Sequence, residues 1–358
     1  MRRGRAAVFE GTPGQIELRE YPVSPPRPGE ILVRVLGCTL CGSDLHSFHG
    51  RRSVAVPTVL GHEIVGEIVD VDANMQPRDL AGRSLAVGDR VTWAIVAHCG
   101  SCFFCERGLP QKCLHAVKYG HEAIHPGREF LGGLAEFCTL VSGTSLLWLD
   151  RQLPLEVAAP ANCATATVAA ALAAAGDVRG QSVCIVGAGM LGLTACAMAR
   201  TRGAATIVCV DPIDSRRELA ERFGATRAVD PTQLAAAAKR LCGSLGFDLV
   251  FEFSGSNAGF QEVWPLARTG GTLVLIGSVF PGPPLEFRLE DVVRRQLTVR
   301  GVHNYAPAHL IEAVQFLAGH HAEFPLAELV SRWYSLDEVD DAFCRAAEGD
   351  VIRVGVRP

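Results

Sequence analysis

The stretch Val183–Asp211, VCIVGAGMLGLTACAMARTRGAATIVCVD, leaves little choice of fold. An apolar, branched run ends in Gly187, Gly189 and Gly192 at GxGxxG spacing. A helical pattern follows, then a second apolar run closing on Asp211, 19 residues after Gly192. A lone GxGxxG is a common glycine turn. One lying between a strand and a helix, with an acid ending the next strand, predicts a βαβ dinucleotide-binding unit. Gly187 permits the tight turn, Gly189 lets a pyrophosphate approach the backbone, and Gly192 lets the helix sit close on the strand. The N–H groups that open the helix, at Met190 and Leu191, then face the phosphates. Asp211 is expected to accept hydrogen bonds from both adenosine ribose hydroxyls. That favours NAD over NADP, because a 2′-phosphate would meet a carboxylate. Arg216 and Arg217, close by, argue the other way; Arg216 stands with the cofactor residues.

The rest of the chain reads as two kinds of text. Up to about Leu149, short branched runs such as EILVRVLGC, EIVGEIVDV and DRVTWAIV are bounded by glycines and prolines, which predicts a small β barrel or sandwich. From about Pro154, alanine-rich helical stretches alternate with SVCIVG, ATIVCVD, DLVFEFSG and TLVLIGS, the rhythm of a doubly wound parallel sheet. After about Gly301 that alternation ends, and AHLIEAVQFLAG reads as one amphipathic helix in a tail that returns to the first domain. The expected class is α/β, with domains at about 1–160, 161–302 and 303–358. A length of 358 residues allows each of two domains its own core. The net charge of -4 gives no electrostatic reason for a nucleic-acid or membrane partner. The basic start MRRGR has no apolar run behind it, and ANCATATVAAALAAAG is too short and alanine-rich to span a bilayer. A cytoplasmic protein is expected.

Thirteen cysteines, an odd number, suit metal ligation or burial better than a disulfide framework in such a chain. Four of them, Cys99, Cys102, Cys105 and Cys113, crowd into HCGSCFFCERGLPQKC. Short loops bring four thiolates around one ion at low entropic cost, so a closed structural zinc site is expected in a lobe at about 98–114. Such a site holds shape and does no chemistry. A catalytic zinc has three protein ligands and an open position. The candidates are Cys41 in CGSDLH, His62 in GHE ahead of Glu63, and Cys163 in APANCATATV. Singly, each reads better as a buried small hydrophobe or a satisfied core histidine. Their company, a zinc-type cluster and a dinucleotide fingerprint, points instead to a second metal.

In the order CGSDLH, GHEIVGEIV, VGDRV, the four-cysteine lobe, GGLAEF, APANCATATV and VGAGMLG, essentially the whole chain resembles the zinc-dependent alcohol dehydrogenases of the medium-chain dehydrogenase/reductase superfamily. The resemblance implies a GroES-like catalytic domain and a Rossmann domain with the active site in the cleft between them, two zinc ions per chain, and NAD. It makes Cys41, His62 and Cys163 the catalytic zinc ligands and Glu63 the acid beside the metal. Asp44 becomes the carboxylate that orients the ligand histidine, Ser43 the hydroxyl that passes on the substrate proton, and His46 the outer end of that relay. Gly42 stands where many microbial members carry His or Arg against the pyrophosphate. Relatives are homodimers or homotetramers.

A narrower resemblance, in GLPQKC, KYGHE, CATATV, GSVFPG and VRRQLTVRGVHNY, is to a bacterial subgroup tied by genome context to phosphonate catabolism. The implied function is reversible hydride transfer between NAD and a primary or secondary alcohol, polar in kind: phosphonate-bearing, cyclitol or polyol. A zinc-independent quinone or enoyl reductase of the same superfamily would lack the lobe and GHE. A NAD-binding protein without catalysis would show an eroded ligand, and none is eroded. By resemblance Trp93, Ile95, Lys118, Tyr119 and His121 run near the pocket. Lys118 and His121 suit a polar or anionic substrate, and read equally as a solvated loop charge and a loop hydrogen-bonder. Arg51 and Arg52 could draw in an anion, but two adjacent arginines read more readily as a solvated turn. His303 and Asn304 are open between cofactor contacts and plain loop.

Overall fold

The computed structural model describes residues 2–358, which divide into two compact units. One runs up to Ala166 and includes Ala306–His321 and Leu326–Pro358; the other is Thr167–Tyr305 with Ala322–Pro325.

The second unit is built on six strands in the order Arg227–Val229, Thr206–Val210, Ser182–Val186, Phe247–Glu252, Ala267–Leu275 and Thr298–Gly301. Every neighbouring pair is parallel. Counted along the chain this is 3-2-1-4-5-6, the doubly wound order whose switch point lies between the first and fourth strands. Val183, Cys184, Ile185, Val208, Cys209 and Phe251 are all fully buried, including consecutive residues. A sheet covered on both faces needs continuous apolar strands rather than alternating ones. Those runs were what made the unit visible in the sequence.

The first unit has a seven-stranded sheet ordered Leu146–Trp148, Arg90–Trp93, Glu63–Val71, Ile31–Thr39, Arg353–Arg357 and Val330–Ser335, with Phe137–Leu140 also paired to Ile31–Thr39. A three-stranded sheet of Glu17–Pro22, Arg3–Phe9 and Thr58–Val59 accompanies it. Apolar residues of both sheets form one core with Phe343, Val354 and Val356 of the C-terminal segment.

That segment corrects the one-helix reading of the tail. After the helix Pro307–His320 come a strand, Val330–Ser335, a helix, Val339–Ala347, and a strand, Arg353–Arg357. The two strands are parallel to each other, and the last joins the sheet through Gly355 opposite Thr39 and Val356 opposite Cys38. VSRWYS and RVGVR carry arginines and too few apolar residues to announce a strand; pairing across the sheet decides their state. Among the described residues no single helix is long and apolar enough to cross a membrane.

Candidate functional site

Three neighbouring strands set the site in the first unit. Thr39 pairs with Glu63 on one side and Gly355 on the other. Cys41 follows two residues later as the N-cap of the helix Gly42–Phe48, and His62 immediately precedes the strand that begins at Glu63. Cys163 closes the 3-10 turn Ala159–Asn162. Asn162, fully buried, ties that turn to the sheet. Its amide donates to the carbonyls of His62 (3.0 Å) and Trp93 (2.8 Å) and accepts from the Ile64 N–H (3.2 Å). The ligand atoms of Cys41, His62 and Cys163 thereby lie within 4.8 Å of one another. Bonds of about 2.0–2.3 Å to a tetrahedral zinc would set such atoms about 3.5–3.8 Å apart. The donor set and its spacing fit zinc with one position left over.

Asp44, on the first turn of the helix, is buried and fixes two ligands at once. One oxygen faces His62 Nδ1 at 3.2 Å and accepts from the Gly61 N–H; the other accepts from the Cys41 N–H at 2.9 Å. With its Nδ1 hydrogen directed at a carboxylate, His62 presents Nε2 as the ligand atom. Burial by itself lowers the proton affinity of His62, but Asp44 and Cys41 outweigh it and push the imidazole up to about 10. The Cys41 thiol is drawn well below its ordinary value by its hydrogen bond with Cys163, helped by Arg353 and His62. A thiolate is the form that ligates a metal.

Glu63 stands apart from the three converging ligand atoms. It is fully buried, accepts from Thr39 Oγ1 at 2.6 Å, and meets both arms of Arg353, Nε to Oε2 at 3.2 Å and Nη2 to Oε1 at 3.3 Å. Arg353 Nη2 also lies 3.5 Å from Cys41 Sγ. Burial raises the Glu63 carboxyl while Arg353 opposes the rise. Ser43 Oγ lies 3.5 Å from His62 Nε2, beside the ligand atom. His46, three residues on along the same helix, is half-buried, and its affinity for a proton is lowered by burial and by Arg51 and Arg52.

Arg51 is exposed as a turn residue would be, but Arg52 corrects the solvated-turn reading. It is half-buried, and its Nη1 donates to His121 Nε2 at 2.7 Å. The His121 ring lies 5.3 Å from that of His62. Lys118, also half-buried, faces the same region and is influenced by Arg52, Cys163 and Cys41. Trp93 and Tyr119 are buried against each other, their ring centroids 6.0 Å apart.

The four-cysteine lobe is a separate cluster. Sγ–Sγ distances are 3.5 Å for Cys102–Cys105 and Cys99–Cys113 and 3.9 Å for Cys102–Cys113. A tetrahedral zinc with bonds of about 2.3 Å requires edges of about 3.8 Å. Backbone N–H groups of Cys99 and His115 point at Cys113 Sγ, and that of Leu114 at Cys102 Sγ. Such N–H groups bring Cys102 down to about 6. All 13 cysteines are free thiols.

In the second unit the glycine turn sits at the end of the first strand, beside the fourth. Gly187 has φ +94°, and a Cβ there would press on Ser254 at 3.1 Å. At Gly192 a Cβ would fall 1.7 Å from the Gly187 carbonyl, so nothing larger fits between helix and strand. Gly189, the N-cap of the helix Met190–Thr201, has no neighbour within 4 Å of a Cβ position, which leaves room for a phosphate at the N–H groups of Met190 and Leu191. Asp211 is buried; its carboxylate accepts from the N–H groups of Ala188 (2.8 Å) and Ile213 (2.9 Å), bracing the turn and leaving further lone pairs. Arg217 turns toward Asp214 and Asp230, and Arg216 is half-buried. His303 is exposed, and Asn304 adopts a left-handed φ of 59° after the last strand.

Two residues of the site escaped sequence reasoning. Asn162 carried a faint signal, a polar residue directly before Cys163 in an otherwise small-apolar run. Arg353 carried none, since its partner Glu63 is 290 residues away.

The chain is similar to known dehydrogenases over both units. Residues 27–149 match the model described as the alcohol dehydrogenase GroES-like domain, and residues 191–319 the model described as zinc-binding dehydrogenase. An L-threonine 3-dehydrogenase of Anaeromyxobacter dehalogenans (strain 2CP-C) is 30% identical over 349 residues, 94% of this chain and 92% of that protein. A solved alcohol dehydrogenase of Thermotoga maritima is 27% identical with a TM-score of 0.94, each chain covered completely (100%). A candidate zinc-binding dehydrogenase of Sinorhizobium meliloti 1021, solved with NADP, is 27% identical at a TM-score of 0.87, again with 100% of both chains covered.

Proposed function

The chain belongs to the zinc-binding alcohol dehydrogenases of the medium-chain dehydrogenase/reductase superfamily, and from that premise we propose that it transfers hydride reversibly between NAD and a polar primary or secondary alcohol at a metal centre of Cys41, His62 and Cys163. One observation carries this reading. Three ligand atoms converge, two of their owners are held by one buried carboxylate, and the set is one short of a closed zinc site. A zinc ion held by these residues would supply Lewis acidity, and a nicotinamide cofactor a hydride acceptor.

The chain's own residues do the rest. Cys41, His62 and Cys163 bind the metal, and Asp44 fixes the tautomer and direction of His62. Ser43 is placed to accept the substrate hydroxyl proton, and His46, half-buried on the same helix, to receive it farther out. Glu63, clamped by Arg353 and Thr39, is held as a buried negative charge near the ligands rather than as one of them. Gly187, Gly189 and Gly192 with Met190 and Leu191 cradle the pyrophosphate, and Asp211 receives the adenosine ribose. The commitment of Arg217 to Asp214 and Asp230 supports NAD over the NADP found with the Sinorhizobium relative. A second zinc, held by Cys99, Cys102, Cys105 and Cys113, is structural.

An odd total of 13 cysteines, six of them in metal-type clusters, supports a reducing compartment, the cytoplasm. The edge strand Thr298–Gly301, exposed at all four residues, with Leu289 and Val293 exposed on the preceding helix, supports assembly of a homodimer or homotetramer.

The test is NADH formation by the zinc-loaded chain across phosphonate-bearing alcohols, cyclitols, sugar alcohols and simple alcohols. Turnover of at least one polar class, abolished by chelation and restored by zinc, is expected. Turnover that survives complete zinc removal contradicts the proposal.

A further inference from the structure

We propose that Arg52 and Lys118 form an anion-recognition site beside the metal centre, so that the alcohol processed there carries a carboxylate or phosphoryl-type oxyanion close to its carbinol. The inference rests on the reading of Cys41, His62 and Cys163 as the place of alcohol oxidation, and sharpens it from a polar substrate to an anionic one.

The geometry begins with the turn after the helix Gly42–Phe48. The N–H groups of Arg51 and Arg52 both donate to the His46 carbonyl, at 2.8 and 3.0 Å, which fixes where the Arg52 side chain leaves the backbone. Arg52 Nη1 donates to His121 Nε2 at 2.7 Å, and His121 Nδ1 faces the Tyr119 carbonyl at 2.8 Å. An acceptor at one nitrogen and a donor at the other make His121 a neutral ring with both positions used. It serves as a bracket that holds the guanidinium one imidazole away from the ligand His62. Lys118 comes from the short strand Val117–Lys118, paired to Val96–Ala97, and its N–H is fixed by Glu122 Oε1 at 2.7 Å.

Two cations are therefore held half-buried near each other, and among the described residues neither forms an ion pair with a carboxylate. The acids of this region are committed to other groups, Glu122 to the Lys118 backbone N–H. Glu63 is forked by Arg353, and Asp44 is spent on His62 and on the N–H groups of Cys41 and Gly61, acting on Arg52 only through space. Burial and mutual repulsion lower the proton affinity of Lys118, and burial lowers that of Arg52. Like charges kept partly out of water without a counter-ion are costly, and an anionic ligand removes that cost. A guanidinium locked by a second residue presents its remaining N–H groups in the planar array that carboxylates and phosphoryl groups match.

The experiment is calorimetric titration of the zinc-loaded full chain with 3-hydroxypropionate, 2-hydroxyethylphosphonate and the neutral isostere 3-hydroxypropionamide. NADH formation from each is measured on the same samples. At least one anion is expected to bind 10-fold or more tighter than the amide, an advantage on the order of one charge-assisted contact. That advantage should shrink to about threefold or less in R52Q and in K118M, and persist in part in R52K, with circular dichroism confirming that each variant folds. Whichever anion gains tells carboxylate from phosphoryl recognition. Equal binding of the amide, or an advantage that survives both R52Q and K118M, overturns the anion site whatever the turnover. Selective anion binding without NADH formation from any of the three keeps the anion site and counts against the dehydrogenase reading.

Discussion

The two clusters of metal-type side chains in the first unit bring sulfur atoms together in opposite surroundings. Cys99, Cys102, Cys105 and Cys113 come from a span of 15 residues, reach from exposed to buried, and have sulfurs met by their own loop's N–H groups. Cys41, His62 and Cys163 come from three distant parts of the chain, and every neighbour is itself held. Asp44 grips His62, Asn162 grips the turn before Cys163, and Arg353 lies between Glu63 and Cys41. Four soft ligands close a site, whereas three leave an opening. A ligand count says where chemistry is possible, and the residues around the ligands say whether the site is built for it.

The largest effect separates the clusters outright. Cys41→Ala or His62→Ala is expected to lower kcat/KM by about 10⁴-fold or more, while NAD binding followed by fluorescence stays measurable. A variant within tenfold of the parent would reverse the roles assigned to the two clusters. Next, Arg353→Met leaves Glu63 buried without its counter-charge, held only by Thr39, a change expected to cost about 3–5 kcal/mol in denaturant unfolding. A loss under 1 kcal/mol would show that the clamp is not what keeps Glu63 in place. Cys102→Ser should remove one zinc per chain by elemental analysis and lower stability by about 2 kcal/mol or more, on the order of 5 °C in Tm, while the other zinc stays. Loss of both ions together would mean that the clusters are not independent. Smallest, Asp44→Asn keeps the shape and removes the charge behind His62, for an expected drop of about 10–100-fold in zinc affinity by competition with a chelator. An unchanged affinity would deny Asp44 its orienting role.

How much of this was legible follows from distance along the chain. The nucleotide unit was readable because its signals are local: buried parallel strands are continuous apolar runs, and the glycine spacing sits within one turn. The lobe was readable for the same reason. The triad was readable only through the company its members keep, since Cys41, His62 and Cys163 each look like core residues on their own. Arg52 was misread because an Arg-Arg pair looks the same whether solvated or anchored, until His121, 69 residues later, folds against it. Arg353 was missed for a like reason, lying in a strand, RVGVR, whose state is set by pairing with Ile31–Thr39 and Val330–Ser335.

Anomalous scattering at the zinc edge, from crystals of the zinc-loaded chain, tests the two metal positions most directly. Two peaks per chain are expected: one about 2.3 Å from the sulfurs of Cys99, Cys102, Cys105 and Cys113, the other about 2.0–2.3 Å from Cys41 Sγ, His62 Nε2 and Cys163 Sγ with its fourth position free of protein. A catalytically active crystal form with a single peak in the four-cysteine lobe, or with a fourth protein ligand closing the second site, would contradict it.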